Sequence, residues 1–217
     1  MDIILFLPVL LFSVVLHEYA HGWMAKRQGD ETAYMLGRLT LNPIPHIDLF
    51  GSIIFPLILH LSNAGVLFGW AKPVPVNPRN YRNFKRGDIL VSLAGIMANL
   101  LLAVAMTALI VIVIHISRMA PGARPLLELL LDMARYGLII NLVLAFFNLI
   151  PIPPLDGSHV MYYLLPARLG MRYRELGRFG MLILLGLMLL APNVLRTFLW
   201  PVTVLQGWAQ ALINLWT

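Results

Sequence analysis

The sequence predicts an all-α polytopic membrane protein with about five transmembrane helices, plus a re-entrant segment with short β-strands. Three observations carry that expectation. Apolar residues fill 59% of the 217 positions and charged residues only 12%, against roughly half and a quarter in a soluble domain. The mean hydropathy is +0.80. The apolar residues also gather in runs long enough to cross a bilayer, for which a helix needs about 20 residues. This composition excludes a water-soluble globule and a disordered chain. A chain without Cys has no disulfide scaffold, thiolate metal site or cysteine nucleophile. The net charge of +6 comes from 16 Lys and Arg clustered between the apolar runs, which is how membrane proteins set their orientation. A lipid bilayer is the expected partner, and nucleic acid is not.

The spans fall at 3–24, 89–117, 126–149, 177–191 and 194–216. The first is not a signal peptide. Asp2 stands where a basic region belongs, no small-x-small cleavage site follows, and the run continues into His17-Glu18-Tyr19-Ala20-His21. Segment 49–71 is apolar enough to be a further span, but Gly51, Pro56, His60, Ser62, Asn63 and Gly65 interrupt it. Charge decides against a full crossing. If the segment dips in and returns, Lys26, Arg27, Arg38, Lys72, Arg79, Arg82, Lys85, Arg86, Arg168, Arg172, Arg174 and Arg178 share one side. Only Arg118, Arg124, Arg135 and Arg196 lie on the other, and the basic-rich side is cytoplasmic by the positive-inside rule. Non-helical backbone at membrane depth is tolerated where protein buries it. Stretches 37–43 and 69–76, rich in β-branched residues and Pro, read as short extended strands flanking this segment. The fourth span is short, and Pro192 and Pro201 bracket the turn into the fifth. With no internal repeat or low-complexity tract, residues 1–217 read as a single domain.

The chemistry concentrates at the cytoplasmic end of the first span. In His17-Glu18-x-x-His21, helical geometry places the two histidines about 40° apart and about 6 Å along the axis. Both imidazoles can therefore reach one Zn²⁺, with Glu18 close enough to address a water on it. Ionisable groups in an apolar span cost roughly 2.5–3.5 kcal/mol each and call for a functional explanation. A catalytic zinc needs a third protein ligand and an open position. Asp156 is the candidate, because a re-entrant 49–71 brings the end of the third span to the same face as His21. Pro151, Pro153 and Pro154 stop the helix there and set a rigid turn that aims a carboxylate inward. Asp156 also suits the N-cap of a following helix, which is compatible with ligation.

Taken together, His17–His21, the 148–157 segment, Leu39-Thr40-Leu41-Asn42-Pro43 and Gly69-Trp70-Ala71-Lys72-Pro73-Val74-Pro75-Val76-Asn77-Pro78 resemble the site-2 protease family of intramembrane zinc metalloproteases. The similarity runs over nearly the whole chain and is to the compact bacterial and archaeal members without a PDZ domain. The resemblance implies that His17, His21 and Asp156 hold one Zn²⁺ per chain, that Glu18 is the catalytic base, and that Asn148 assists the oxyanion. It implies cleavage of peptide bonds in transmembrane or signal-peptide-like substrates by a multi-pass protein of the cell membrane, with its active site near the cytoplasmic side. The family's Ala-Gly-Pro-x-x-Asn stretch reads Ala94-Gly95-Ile96-Met97-Ala98-Asn99 here, with Ile96 in place of proline.

Other polar residues have simpler readings. His46, His60, His115 and His159 suit satisfied or interfacial histidines. Glu128, Asp132 and Arg135 form a helical ion-pair ladder, and Arg168–Arg178 suit an anchor at anionic headgroups. Asn99 lies at span depth, where amides bond neighbouring helices. The rival class is a non-proteolytic zinc-binding scaffold or transporter. Transport predicts repeated halves with broken helices, and a scaffold predicts that Glu18 is dispensable.

Overall fold

A computed structural model describes residues 3–62 and 69–216. Helix α1 (Ile3–Gln28) is largely apolar apart from Ser13 and the His17–His21 turn, and it ends in Lys26 and Arg27, whose positive charges complement the negative end of its dipole. Gly29, at φ 110°, ends it. Only glycine takes that conformation without strain, and it lets the Asp30 N–H reach back to the Ala25 carbonyl at 2.9 Å.

Asp30 is fully buried and ties the end of α1 to a loop fifty residues on. Its carboxylate accepts from Asn77 N–H (2.6 Å), Asn80 Nδ2 (2.8 Å), Thr32 N–H (3.2 Å) and Thr32 Oγ1 (2.5 Å). Burial pushes this carboxyl up, but the hydrogen bonds from Asn77, Thr32 and Asn80 outweigh it and hold it below the usual value of 3.8. A carboxylate with a depressed folded pKa stabilises above the unfolded value, and that contribution disappears as pH falls through the folded one. Asp30→Asn is therefore expected to cost about 1.5–3 kcal/mol at neutral pH, the range for hydrogen bonds to a charged group. Thermal melts in detergent from pH 7 to pH 3 check this. The wild type should lose its advantage over the variant in acid, and parallel pH profiles for the two would refute the assignment.

After the one-turn helix α2 (Thr32–Met35) and a 3₁₀ turn at Ile44–His46, the chain enters the expected re-entrant segment. A π-helical turn, Leu49–Ile54, is capped by Asp48 accepting Gly51 N–H at 2.6 Å, and it runs on into α3 (Phe55–Leu61). The returning chain comes back to its starting point. Trp70 N–H donates to the Gly51 carbonyl (3.1 Å), Ser52 Oγ donates to the Trp70 carbonyl (2.9 Å), and Lys72 N–H donates to the His46 carbonyl (2.9 Å). The Trp70 ring packs at a tilt of 47° against both Phe50 and Phe55. Residues 46–52 and 70–72 are thus held side by side.

The short strands expected at 37–43 and 69–76 do not form, and no strand occurs among the described residues. The hydrogen-bonding inventory explains why. Pro73 and Pro75 have no N–H to offer to one edge. On the other edge, Lys72 N–H goes to His46 and Val74 N–H to the Glu18 carboxylate. Arg38 Nη2 takes the Lys72 and Pro73 carbonyls. Between Lys72 and Pro75 no N–H is left with which to build a ladder.

Helix α4 (Phe84–Met119) begins at an Asn83 cap, and its 36 residues run unbroken through Ile96. It packs along α1 and along α5 (Arg124–Asn148), the helix that carries the third expected span. Their shared core includes Ala103, Ile110, Ala134, Leu138 and Leu142. Gly137 lets α4 and α5 approach closely, since a Cβ there would lie 2.9 Å from Met106 Cγ and Sδ.

Beyond α5 come α6 (Gly157–Leu164), α7 (Ala167–Glu175), α8 (Gly180–Leu190), α9 (Pro192–Phe198) and α10 (Trp200–Trp216). Among the described residues α1, α4 and α5 are long and apolar enough to cross a membrane. A fourth span is added if α7–α8 and α9, bent by 103°, count as one. The expected fifth span is divided, because α9 stops at Phe198 and α10 restarts at Trp200. Pro201 has no N–H for the carbonyl four residues back and its ring would strike that carbonyl, so one helix cannot run through.

Candidate metal centre

His17 and His21 sit one turn apart on α1, with ring centroids 4.5 Å apart. Asp156 arrives from the other end of the chain. The turn after α5 is closed by Ile152 N–H to the Ile150 carbonyl (2.8 Å) and Leu155 N–H to the Ile152 carbonyl (2.9 Å), while Ile150 is almost completely buried. Asp156 then precedes α6 with helical backbone angles, yet its side chain makes no capping hydrogen bond. The carboxylate is left to point at the histidines. Gly157 permits this approach, since a Cβ there would overlap the Leu149 carbonyl. Helix α6 is pinned to α4 by the buried Asp88, which accepts from His159 Nδ1 (3.1 Å) and Tyr163 OH (2.9 Å).

The three side chains meet tip to tip. Asp156 Oδ2 lies 3.2 Å from His17 Nε2 and 3.3 Å from His21 Nε2, and the two Nε2 atoms are 2.9 Å apart. The other ring nitrogens face fixed oxygens, Asn99 Oδ1 at 2.5 Å for His17 and the Val91 carbonyl at 2.7 Å for His21. Each Nδ1 therefore carries the ring hydrogen, and each Nε2 presents a lone pair. Asp156 Oδ2 is buried without a hydrogen-bond donor. Two imidazole lone pairs and a carboxylate oxygen thus converge, an arrangement that a cation resolves. Donors about 2.0–2.2 Å from a tetrahedral ion lie about 3.3–3.6 Å from one another. The 3.2 and 3.3 Å Asp156–histidine distances therefore suit an ion nearly as they stand, while the 2.9 Å histidine pair has to open by about 0.4 Å. The donor types fit as well, because two His and a carboxylate with one position open is a catalytic zinc set. Helix α4 leaves room for an ion at Gly95, where a Cβ would fall 2.5 Å from His21 Nε2 and 2.7 Å from His17 Nε2.

Glu18, next to His17, accepts Val74 N–H at 2.7 Å. Asn148 stands apart from the cluster, its amide donating to the Leu144 carbonyl of its own helix at 3.0 Å. His46 is a buried fixture of its loop, bonded to the Thr40 carbonyl. His115 is exposed and bonds Val111 in its own helix, and the His60 side chain lies outside the described ones. Sequence reasoning missed Asp88 and Asn141. Asn141 is a polar residue in an apolar run, the same signal that singled out Asn99, whereas Asp88 follows Lys85, Arg86 and Gly87 just before the second run, where no such signal marks it.

Comparison with known proteins agrees with this chemistry. The model described as "Peptidase family M50" matches residues 113–191, a stretch that includes Asp156. A Bacillus subtilis protein named "Putative zinc metalloprotease YwhC" is 38% identical over 181 residues, covering 82% of this chain and 77% of the relative. This chain belongs to peptidase family M50, the site-2 proteases. A second relative, "Putative zinc metalloprotease Rip2" of Mycolicibacterium smegmatis, is 37% identical over 100 residues, 46% of this chain and 37% of its own. No solved structure matches. M50 membership makes this a membrane protein of the zinc metalloprotease class, acting on protein substrates, and the His-His-Asp cluster is the group of its described residues able to hold a metal.

Proposed function

We propose that this M50 protein is an intramembrane endopeptidase in which His17, His21 and Asp156 hold one zinc ion and Glu18 is the general base. The convergence of those three donors beside Glu18 carries the reading. When bound, zinc would supply a Lewis acid that polarises the scissile carbonyl and makes water acidic enough to attack it. The protein's own part is acid–base work and positioning. Glu18 takes the proton of the attacking water and returns it to the leaving amine. Val74 N–H, donating to Glu18 Oε2, fixes the carboxylate's rotamer and leaves Oε1 for the proton. Asn148, next to the turn that carries Asp156, would assist the oxyanion after its amide leaves the Leu144 carbonyl.

The substrates in this reading are transmembrane or signal-peptide-like segments, whose carbonyls are reached only after local unwinding. The protein is multi-pass, with the cluster near the cytoplasmic face. The asymmetry of basic residues and the doubling back of the chain between His46 and Lys72 support that topology.

The test is cleavage of model transmembrane peptides in detergent, with zinc measured on the same samples. Wild type should cleave. Glu18→Gln should cleave about 10²–10⁴-fold more slowly while retaining its zinc. A Glu18→Gln variant as active as wild type would remove Glu18 from the mechanism. A zinc-loaded wild type inert on every peptide would favour the scaffold.

A further inference from the structure

The metal ligands are neutral imidazoles only if each carries its hydrogen on the ring nitrogen turned away from the metal. For His21 the arrangement is direct, because a backbone carbonyl, Val91, faces its Nδ1 and can only accept. For His17 it is not. Its Nδ1 faces a side-chain amide, Asn99, and an amide can present either an oxygen or an NH₂ group. Presented with NH₂, His17 would have to keep its lone pair on Nδ1 and carry its hydrogen on Nε2, pointing at the metal. Something must decide which way Asn99 lies.

The deciding contacts are two residues further off and cross three helices. Asn141 on α5 places its Nδ2 2.8 Å from the Gly137 carbonyl, which cannot donate. The same Nδ2 lies 2.9 Å from Ser13 Oγ, whose own hydrogen goes to the Val9 carbonyl at 2.8 Å. Both contacts require NH₂ at that end of Asn141. Its Oδ1 must then be the end that faces Asn99, and it accepts from Asn99 Nδ2 at 2.7 Å. That leaves Asn99 Oδ1 for His17, 2.5 Å from Nδ1. Ser13, His17, Asn99 and Asn141 are exposed by 1%, 7%, 0% and 2%, so the chain of hydrogen bonds is shielded from bulk water. Every direction in the chain follows from two backbone carbonyls, Gly137 and Val9.

We propose that Asn141 is a positioning residue for the metal centre, fixing the orientation of Asn99 and through it the tautomer of His17. The inference rests on the reading of His17 as a zinc ligand. A simpler role, an amide holding helices together, predicts that removing Asn141 loosens the bundle and that a second substitution adds to the damage. The tautomer role predicts rescue. In Asn141→Leu the amide of Asn99 loses the partner that orients it. In Asn141→Leu/Asn99→Asp, His17 Nδ1–H faces a carboxylate, which accepts whichever way it turns.

The experiment uses the full-length protein in detergent and two readouts, zinc affinity by competition with a chelator and the histidine tautomers by ¹⁵N NMR. In wild type, the His17 hydrogen should sit on Nδ1. Asn141→Leu should weaken zinc binding about tenfold, the lower end of what loss of an outer partner costs a metal site. Once chelated, it should show His17 with its hydrogen on Nε2, while His21 is unchanged. The double variant should bind zinc more tightly than Asn141→Leu and restore the Nδ1 hydrogen. Wild-type His17 with its hydrogen on Nε2 overturns the proposal, as does an Asn141→Leu protein with unaltered affinity and tautomer. Should Asn141→Leu fail to accumulate, the double variant decides alone, and a His17 hydrogen on Nε2 there is equally fatal. Zinc binding indifferent to His17→Ala, together with a His17 hydrogen on Nδ1 in the wild type, would sink the ligand assignment and leave the relay standing.

Discussion

Chelating the metal is expected to lower the thermal midpoint of the purified protein in detergent, and added zinc to restore it. The cause is the geometry of the three donors. With an ion between them, two neutral imidazoles, the Asp156 and Glu18 carboxylates and one Zn²⁺ sum to zero charge. Without it, lone pairs face each other at 2.9–3.3 Å in a mostly buried cluster. Ligation also ties α1 to the turn after α5. An ion that binds the folded chain alone at a thousand times its dissociation constant stabilises by about 4 kcal/mol. For a chain of this size that is a shift of about 8–16 °C. Loss of a hydrogen-bond partner of a ligand costs ten- to hundredfold in affinity, so Asp156→Ala should cost more than about a hundredfold and should melt alike with and without zinc. Equal midpoints for chelated and zinc-loaded wild type would show that the metal is no tie between those helices.

A single added methyl group on the facing helix should have a comparable effect. At Gly95 a Cβ would sit 2.5 Å from His21 Nε2, 2.6 Å from His17 Cε1 and 2.7 Å from His17 Nε2, well inside van der Waals contact. The rings cannot withdraw freely, because both Nδ1 atoms are bonded to α4 itself, at Asn99 and at Val91. Gly95→Ala must therefore push the imidazoles off their positions or push α4 off α1. Zinc affinity is expected to fall at least a hundredfold, beyond the range for loss of an outer partner. Gly186→Ala on α8, where a Cβ meets nothing within 4 Å, is the matched control and should bind zinc like wild type. Full zinc binding by Gly95→Ala would mean that the ion does not lie between the histidines and α4.

What was legible in the sequence follows from how local each signal is. The i, i+4 spacing of His17 and His21 is set by one helix, so their shared face could be read directly. Asp156 was reachable only through topology, because bringing it to the histidines depended on how segment 49–71 runs. The first three spans were legible from length and apolarity. The break at Pro192 was legible too, but the fifth run was not, since the chain breaks again before Pro201 at a point that a hydropathy run passes over. The strands failed for another reason. The β-branched residues of 69–76 favour an extended chain, but whether that chain pairs depends on partners elsewhere, and its N–H groups had gone to His46 and Glu18. The Asn141–Asn99–His17 series was invisible because it joins α1, α4 and α5, and no spacing along the chain encodes which amide faces which.

The position of Asp156 has a consequence for how the protein is made. Its carboxylate lies about 135 residues after His21, so the histidine pair leaves the ribosome long before its third partner exists. At about 5–20 residues per second, the interval is roughly 7–27 s. During that time α1 already carries Glu18 and both imidazoles, yet no fragment short of Asp156 can assemble the cluster. On the proposed mechanism a truncated or stalled chain would lack the third metal ligand, and hydrolytic competence would arrive only when biosynthesis has passed the turn after α5.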